Sequence, residues 1–498
     1  MSRPVPFAPA VELAPIPAPA SFESDMDRPV PFDAGTAVRL DCPDPAAAPW
    51  LERHFADWFG AQAPRVVADA GEAAPPRAAR RPAPPALPPG DEAYAVEAGE
   101  GGVRIAARTL AGARWAACSL RQLAIARRGT MRTDGRLLPS LRISDAPRLA
   151  LRAVHLCWFP ETPPAWIERS IRLAALLKFN CAILEPWGTF RSGRHPWFGW
   201  PDAPATPEEL GRLAAIGRDL GLVLVPQLNA FGHASLSRTS SLKHAALDLH
   251  PEYEPLFEPG GWNWCLSNPE ARRVLRELAD ELHEACGRPP LFHLGCDEAQ
   301  PPSCPECRRR PYGELVRGHV ADLAAFLRER GARSMVWHDM LLERGDPRWK
   351  GFVASGSPAT AALADALPKD VVVCDWQYAD RDPARPSDDW PTMAHFLERG
   401  FAVAGCPWLN LGAMEPMAAF LAAHGGLGLV ATTWQRQDGA AWRDILRTAA
   451  GAAWGTPPRP AATQFDTAFA VALRLAGRDA GVRSYPATGL YADQLALP

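Results

Sequence analysis

The region from about residue 148 to residue 455 alternates short apolar segments with longer segments whose apolar residues recur every three or four positions. Short apolar segments predict β-strands, and the three-to-four spacing predicts amphipathic helices. The predicted strands are Arg152–Trp158, Asn180–Glu185, Leu222–Leu228, Leu291–Gly295, Ser334–Trp337, Val371–Trp376, Phe401–Cys406 and Gly428–Trp434. The predicted helices are Trp166–Leu177, Pro207–Leu220, Pro269–Cys286, Tyr312–Arg330, Met393–Arg399, Met414–His424 and Ala440–Ala453. Eight predicted strands, seven of which are followed by a predicted helix, favour a closed (β/α)8 barrel of the TIM type, with a doubly wound open sheet as the alternative.

The chain before the barrel has a different pattern. Residues 92–123 predict a strand, a Gly turn, a second strand and a helix, which indicates a small α/β domain. Residues 71–90 are rich in Pro and predict an exposed loop. We therefore predict an N-terminal α/β domain over residues 1–145, the barrel over residues 146–455, and a C-terminal extension over residues 456–498.

The predicted strand ends, where such a barrel carries its active site, are rich in Trp and carboxylates. Trp rings stack on the apolar faces of sugars, and carboxylates bind sugar hydroxyls. A single Trp could simply fill space between strands and helices, but the whole set favours a carbohydrate site. The set comprises Trp158, Glu185, Trp187, Asp297, Glu298, Trp337, Asp339, Asp375, Trp376, Trp408 and Trp434.

Composition narrows the classes of partner. The 498 residues carry a formal net charge of -3, so no basic surface points to nucleic acid. No apolar run reaches the roughly 18 residues of a membrane span, and the first residues lack the pattern of a secretory signal. The eleven cysteines are scattered, mostly in apolar surroundings. A cytoplasmic protein without a cofactor or a metal is the simplest interpretation, and the sequence leaves the oligomeric state open.

The segment PLFHLGCDEAQ, residues 290–300, carries the clearest chemical signal. An apolar strand runs directly into Asp297 and Glu298, a pair that is costly to bury without partners. The pair could also cap a loop at the strand end. Since neighbouring residues on a strand point to opposite faces, both side chains reach one site only if the strand bends or ends there.

This segment resembles the H-x-G-G-D-E motif of glycoside hydrolase family 20, the β-N-acetylhexosaminidases. Residues 225–234 resemble the family's P-E-I-D-x-P-G-H-A segment, and residues 151–154 resemble its Arg-bearing first strand. Residues 92–123 resemble its non-catalytic N-terminal domain. The similarity covers about residues 14–455. It implies a barrel glycosidase that removes terminal N-acetylglucosamine or N-acetylgalactosamine from a carbohydrate.

The resemblance also implies a mechanism. Ordinary retaining glycosidases place two carboxyl groups about 5–5.5 Å apart on opposite sides of the sugar, which adjacent residues cannot readily do. In the family resembled, the substrate's own 2-acetamido oxygen attacks the anomeric carbon. Glu298 is then the general acid and base, and Asp297 orients the acetamide. Arg152 binds the outer sugar hydroxyls, unless a buried ion pair takes it, while His233 and His293 orient the acidic pair.

The other expected substrate-binding residues are Trp337, Asp339, Trp376, Tyr378, Trp408, Trp434 and Arg436. Some positions depart from the family pattern. The family's acetamide-binding Tyr is replaced by Trp408, which makes Tyr378 the candidate substitute. Arg436 stands where a Glu normally accepts hydrogen bonds from the outer hydroxyls. Because Arg only donates, either the substrate carries an anionic group or Arg436 pairs with a nearby carboxylate.

Cys304-Pro305-Glu306-Cys307 follows the acidic pair. A C-x-x-C supplies only two of the four ligands of a zinc site, so a pair of thiols in a loop is the favoured interpretation. Zinc with help from Cys296 and His293 is the less favoured alternative.

Two other functions stay open from the sequence. An inactive sugar-binding barrel would bind an N-acetylglucosaminide without hydrolysing it. A retaining glycosidase with Glu185 and Glu298 as opposed carboxylates would also hydrolyse sugars that lack the acetamide.

Overall fold

The computed structural model describes residues 14–68, 86–125, 137–235, 246–378, 389–434, 437, 439–455 and 462–482. The strands are β1 Ser21–Pro31, β2 Ala37–Asp41, β3 Arg65–Ala68, β4 Tyr94–Gly99, β5 Gly102–Ala107, β6 Leu137–Asp145, β7 Leu151–Trp158, β8 Cys181–Pro186, β9 Val223–Pro226, β10 Leu291–His293, β11 Arg333–Trp337, β12 Val372–Trp376, β13 Ala402–Cys406 and β14 Gly428–Ala431. The helices are α1 Ala47–Phe59, α2 Leu110–Ile125, α3 Pro164–Leu176, α4 Pro207–Asp219, α5 Ala246–Leu249, α6 Pro269–Ala285, α7 Pro305–Arg308, α8 Tyr312–Arg328, α9 Pro358–Ala361, α10 Leu363–Ala366, α11 Pro391–Glu398, α12 Leu411–Ala423, α13 Ala440–Trp454 and α14 Ala462–Asp479.

The first six strands form a mixed sheet in the order β1-β6-β4-β5-β2-β3. Side chains of β5 alternate between buried and half-buried positions, because one face of the sheet packs under α2. The strand, turn, strand and helix predicted over residues 92–123 correspond to β4, β5 and α2. An α/β unit therefore precedes the barrel.

The other eight strands form one parallel sheet in the order β10-β11-β12-β13-β14-β7-β8-β9. The sheet closes between β9 and β10, where the Leu228 N–H donates to the His293 carbonyl at 2.9 Å. Each predicted strand is present, with ends that differ by a few residues, and α3, α4, α6, α8, α11, α12 and α13 are the predicted helices. The (β/α)8 barrel is therefore confirmed, and the open-sheet alternative is wrong.

Two apolar layers hold the barrel together. Within β7, Leu151 and Ala153 point to the barrel interior and pack with Ile183, Val225 and Met335 of other strands. The residues between them on each strand pack against the surrounding helices. Alternation along each strand therefore decides which side chains can reach the barrel interior and its rim.

Two of the long helices begin at residues that suit a helix start. Thr206 precedes α4 and accepts the Glu209 N–H, and Asn268 precedes α6 and accepts the Glu270 N–H. Pro occupies the first position of both helices, where a missing N–H costs nothing. These local signals explain why both starts were predictable.

Helix α14 contacts α2 and α3, so it lies against both the N-terminal unit and the barrel. The residue boundaries expected for the three domains stay predictions. Among the described helices, none combines the length and the apolarity that crossing a bilayer requires.

Candidate active site

The loop after β10 brings Asp297 and Glu298 to the same part of the barrel rim. Strand β10 ends at His293, and Gly295, Cys296 and Glu298 have φ angles of 66°, 73° and 47°. Such left-handed conformations cost roughly 1–2 kcal/mol for each residue other than Gly. They turn the chain within a few residues, so adjacent side chains no longer alternate between opposite faces.

His233 lies between the two carboxylates. Its Nε2 is 3.3 Å from Asp297 Oδ2 and 3.4 Å from Glu298 Oε2. The preceding Gly232 permits this approach, because a Cβ at that position would lie 2.1 Å from the Asp297 carbonyl oxygen. The G-H-A and D-E segments therefore pack as one unit.

Trp262, in the loop between β9 and α6, packs against His233 and hydrogen-bonds to the backbone of Glu298. Its ring centroid is 4.4 Å from that of His233, and its Nε1–H donates to the Glu298 carbonyl at 2.9 Å. The next residue, Asn263, donates its side-chain N–H to the Gln300 carbonyl at 2.7 Å and accepts the Gln300 N–H at 3.2 Å. The position of the acidic pair therefore depends on this loop.

The two carboxylates differ in exposure. The side chain of Glu298 is 49% exposed, whereas that of Asp297 is 10% exposed. An exposed carboxyl group can exchange protons with a leaving group and with water, while a buried one is suited to hold a single bound group. This difference matches two separate roles for adjacent residues.

A third carboxylate, Asp339, contacts the backbone of the acidic pair. It is fully buried and accepts the Glu298 N–H at 3.0 Å. Burial raises the pKa of Asp339 to about 7, and the negative charge of Asp297 is the second cause. Below that pH, Asp339 is therefore largely neutral and adds little repulsion to the charged pair.

Aromatic side chains line the neighbouring strand ends. Trp434 donates its Nε1–H to the Tyr378 hydroxyl at 2.9 Å. The Tyr378 ring centroid is 4.8 Å from that of Trp376 and 5.1 Å from that of Trp408. Trp337 lies with its ring centroid 5.8 Å from that of Trp434. Five of the predicted substrate-binding residues thus form one aromatic wall.

Tyr378 has the properties of a neutral hydrogen-bond donor. Burial raises the pKa of its phenol well above the ordinary value, and the negative charge of Asp297 contributes to the same shift. The hydroxyl oxygen accepts from Trp434 and keeps its own proton. Tyr378 can therefore donate to a carbonyl oxygen near Asp297.

His293 and Glu185 lie deeper in the barrel. His293 Nδ1 accepts the Gly295 N–H at 3.0 Å, which fixes the turn before the acidic pair. Glu185 is 1% exposed; one oxygen accepts from Asn229 at 2.7 Å and the other lies 3.0 Å from His155 Nε2. A buried carboxylate with both oxygens engaged does not favour the nucleophile role considered for Glu185.

The structure corrects the sugar contact predicted for Arg152. Arg152 is the second residue of β7 and lies at the end of the barrel opposite the rim. Its guanidinium forms an ion pair with Glu92, and its Nε–H donates to the Lys178 carbonyl at 3.0 Å. The buried ion pair is therefore the observed arrangement, because the start of a parallel strand cannot reach the other end of the barrel.

Two residues of the site were missed from the sequence, and one predicted site residue has no described position. Alternation along β7 places His155 on the same face as Ala153, a signal that could have found it. Trp262 comes from a loop, where no spacing rule applies. Arg436 lies outside the described residues.

The sequence of this chain is similar to that of known proteins. A family model described as glycosyl hydrolase family 20, domain 2, matches residues 13–146. A β-N-acetylhexosaminidase of Cellulomonas fimi is 27% identical over 355 residues, which cover 66% of this chain and 66% of that relative. The chain thus spans about two thirds of the length of this relative.

Solved structures show the same fold. A chitobiase of Flavobacterium johnsoniae matches with a TM-score of 0.65 and 18% identity, over 98% of this chain and 75% of that one. A family 20 β-N-acetylhexosaminidase of Streptomyces coelicolor matches with a TM-score of 0.63 and 19% identity, over 95% of this chain and 97% of that one. At these identities the likeness concerns the fold.

Proposed function

We propose that this chain acts as a glycoside hydrolase of family 20, the family to which its N-terminal part and its fold are similar, and that it releases terminal N-acetylhexosamine residues from a carbohydrate. The observation that carries the proposal is the meeting of Asp297 and Glu298 at His233, with unequal exposure. The aromatic wall beside them suits the apolar face of a sugar ring.

In the proposed first step, the 2-acetamido oxygen of the substrate attacks the anomeric carbon. Glu298 gives its proton to the glycosidic oxygen as the bond to the leaving group breaks. Asp297 accepts the acetamide N–H and stabilises the positive charge of the oxazolinium ring that forms. The more buried position of Asp297 strengthens this electrostatic contribution.

In the second step, the Glu298 carboxylate takes a proton from water as the water oxygen attacks the anomeric carbon. The oxazolinium ring opens, the acetamide is regenerated, and the product retains its configuration. The exposure of Glu298 supports this step because water must reach the carboxylate.

Tyr378 is proposed to hold the acetamide oxygen. It lies in the aromatic wall, keeps its proton, and is close enough to Asp297 to respond to its charge. Tyr378 and Asp297 would then bind the two ends of one amide group, which orients the oxygen for attack.

The test is a comparison of aryl β-glycosides on the wild-type chain. The N-acetylglucosaminide, the N-acetylgalactosaminide and the plain glucoside share a leaving group and differ at the acetamide or at C4. We expect release only from sugars with the acetamide. Equal release from the plain glucoside would contradict substrate assistance, and binding without release would contradict the hydrolase.

A further inference from the structure

Four potential metal ligands come together from the loop that carries Trp262 and the loop that follows the acidic pair. We propose that Glu258, Cys265, Cys304 and Cys307 bind one structural zinc ion. Their ligand atoms all lie within 4.8 Å of one another, although Glu258 and Cys307 are 49 positions apart in the chain. The C-x-x-C of the sequence thus gains two further ligands from the loop between β9 and α6.

The sulfur atoms have the spacing of metal ligands. Cys265 Sγ lies 3.8 Å from Cys304 Sγ and 3.7 Å from Cys307 Sγ. Two thiolates of a tetrahedral zinc site, each about 2.3 Å from the ion, are about 3.8 Å apart. A disulfide would bring its sulfurs to about 2.05 Å. One thiol placed equally far from two others fits a shared ion better than a bonded pair.

Glu258 supplies the fourth ligand. It is 4% exposed, and its Oε2 accepts the N–H groups of Ser303 at 2.7 Å and Cys304 at 2.6 Å. These bonds fix the carboxylate against the C-x-x-C loop. No N–H or O–H of the described residues donates to the buried Oε1. A buried carboxylate oxygen without such a donor is costly, and a cation bound beside the thiols would compensate it.

The donor set selects the metal. Three thiolates favour zinc, copper(I) or iron–sulfur chemistry, and a carboxylate oxygen suits zinc among these. Iron–sulfur clusters use four cysteines in their common forms. Because the protein fills all four positions and the ligands are largely buried, the site is of the closed, structural kind.

The position of the site gives the ion a role. Trp262 and Asn263 lie between Glu258 and Cys265 in the chain, and these two residues hold the backbone at Glu298 and Gln300. An ion bound at both ends of this loop would fix Trp262 against the Glu298 carbonyl. The four ligands are therefore positioning residues, and metal binding itself does not depend on the proposed hydrolase activity.

The first test measures zinc in the purified full chain by mass spectrometry, without chelators during preparation. We expect about one zinc ion per chain for the wild type, and at least a tenfold loss in Cys304→Ala and Glu258→Gln. Cys286→Ala is the matched control, because it removes a buried thiol that is not among the four ligands, and it should keep the zinc. A metal-free wild type after reduction and zinc addition, or unchanged zinc in Cys304→Ala, would overturn the proposal.

A second measurement needs no folded variant. The wild type is reconstituted with cobalt(II), whose absorption distinguishes tetrahedral thiolate coordination from octahedral oxygen coordination. Strong thiolate-to-cobalt charge transfer with tetrahedral visible bands would support the site, and an octahedral spectrum would contradict it. A chain that binds zinc but hydrolyses no glycoside would support the metal site and contradict the proposed function. A chain that hydrolyses the glycoside but binds no zinc would support the function and contradict the metal site.

Discussion

The two ends of the barrel use charged residues in opposite ways. At the base, buried Arg152 pairs with Glu92, and buried Lys178 lies 3.2 Å from Asp145. At the rim, Asp297 and Glu298 both lie against His233, and Asp339 accepts the Glu298 N–H. Opposite charges at the base stabilise the fold, whereas like charges at the rim oppose it. Such like-charge clusters are typical of sites that stabilise a charge on a substrate.

The largest effect on the function of the rim is expected in the variant Glu298→Gln. The exposed side chain can change without loss of packing, so we expect turnover to fall by roughly 10²–10⁴ while the fold is kept. The measurement is kcat on the aryl N-acetylglucosaminide, together with the thermal midpoint. Glu284→Gln is the matched control, since this carboxylate is 60% exposed and lies outside both the acidic pair and the proposed metal site. Wild-type turnover in Glu298→Gln would contradict the assignment.

At the base of the barrel, the variant Glu92→Gln should lose stability and keep its turnover. Removal of the carboxylate leaves the Arg152 charge buried without its ionic partner, which we expect to cost roughly 2–4 kcal/mol of unfolding free energy. The folded fraction should keep its kcat, because Arg152 lies far from the rim. Urea unfolding measures the free energy of unfolding. The rate divided by the number of titrated active sites gives the kcat of the folded fraction. Glu97→Gln, which breaks a more exposed pair with Arg142, should cost less than about 1 kcal/mol; equal losses in the two variants would remove the distinction.

Asp339 makes the free energy of unfolding depend on pH. Its folded pKa of about 7 lies above its ordinary value of 3.8, so the folded chain keeps a proton that the unfolded chain releases. This contribution to stability is complete below about pH 4 and is lost as the pH rises to about 7. Asp339→Asn retains an oxygen acceptor for the Glu298 N–H and does not titrate. Between pH 5 and pH 7, the wild type should lose up to about 2 kcal/mol relative to the variant. Parallel unfolding curves for the two proteins would contradict this.

The smallest effect is expected for Tyr378→Phe. The variant keeps the ring in the aromatic wall and removes only the hydroxyl, so kcat/KM for the N-acetylglucosaminide should fall about tenfold. Tyr253→Phe is a control on a ring that stacks on Trp197 and should change nothing. If Tyr378→Phe behaves like this control, another residue holds the acetamide oxygen.

Periodicity was sufficient to predict the barrel, because each of the eight strands is a short apolar segment and seven of them are followed by a predicted amphipathic helix. The acidic pair was found at the end of an apolar strand, and His233 was found through the resemblance to a family motif. The sugar contact of Arg152 was wrong because it followed from the family resemblance, although the predicted strand Arg152–Trp158 already places this residue at the strand start, away from the rim. Trp262 and Cys265 were not found, because loops bring Trp262 to Glu298 and Cys265 to Cys304 from more than 30 positions away in the chain. Tertiary contacts of this kind leave no local pattern in a sequence.

The central claim is that the substrate's acetamide acts as the nucleophile. The most direct measurement is inhibition by a thiazoline analogue of the cyclised intermediate. We expect it to bind at least 10²-fold more tightly than the free N-acetylhexosamine product, because it resembles the state that the site stabilises. Absence of inhibition, together with a covalent sugar on Glu185 after treatment with a fluorosugar, would contradict the account.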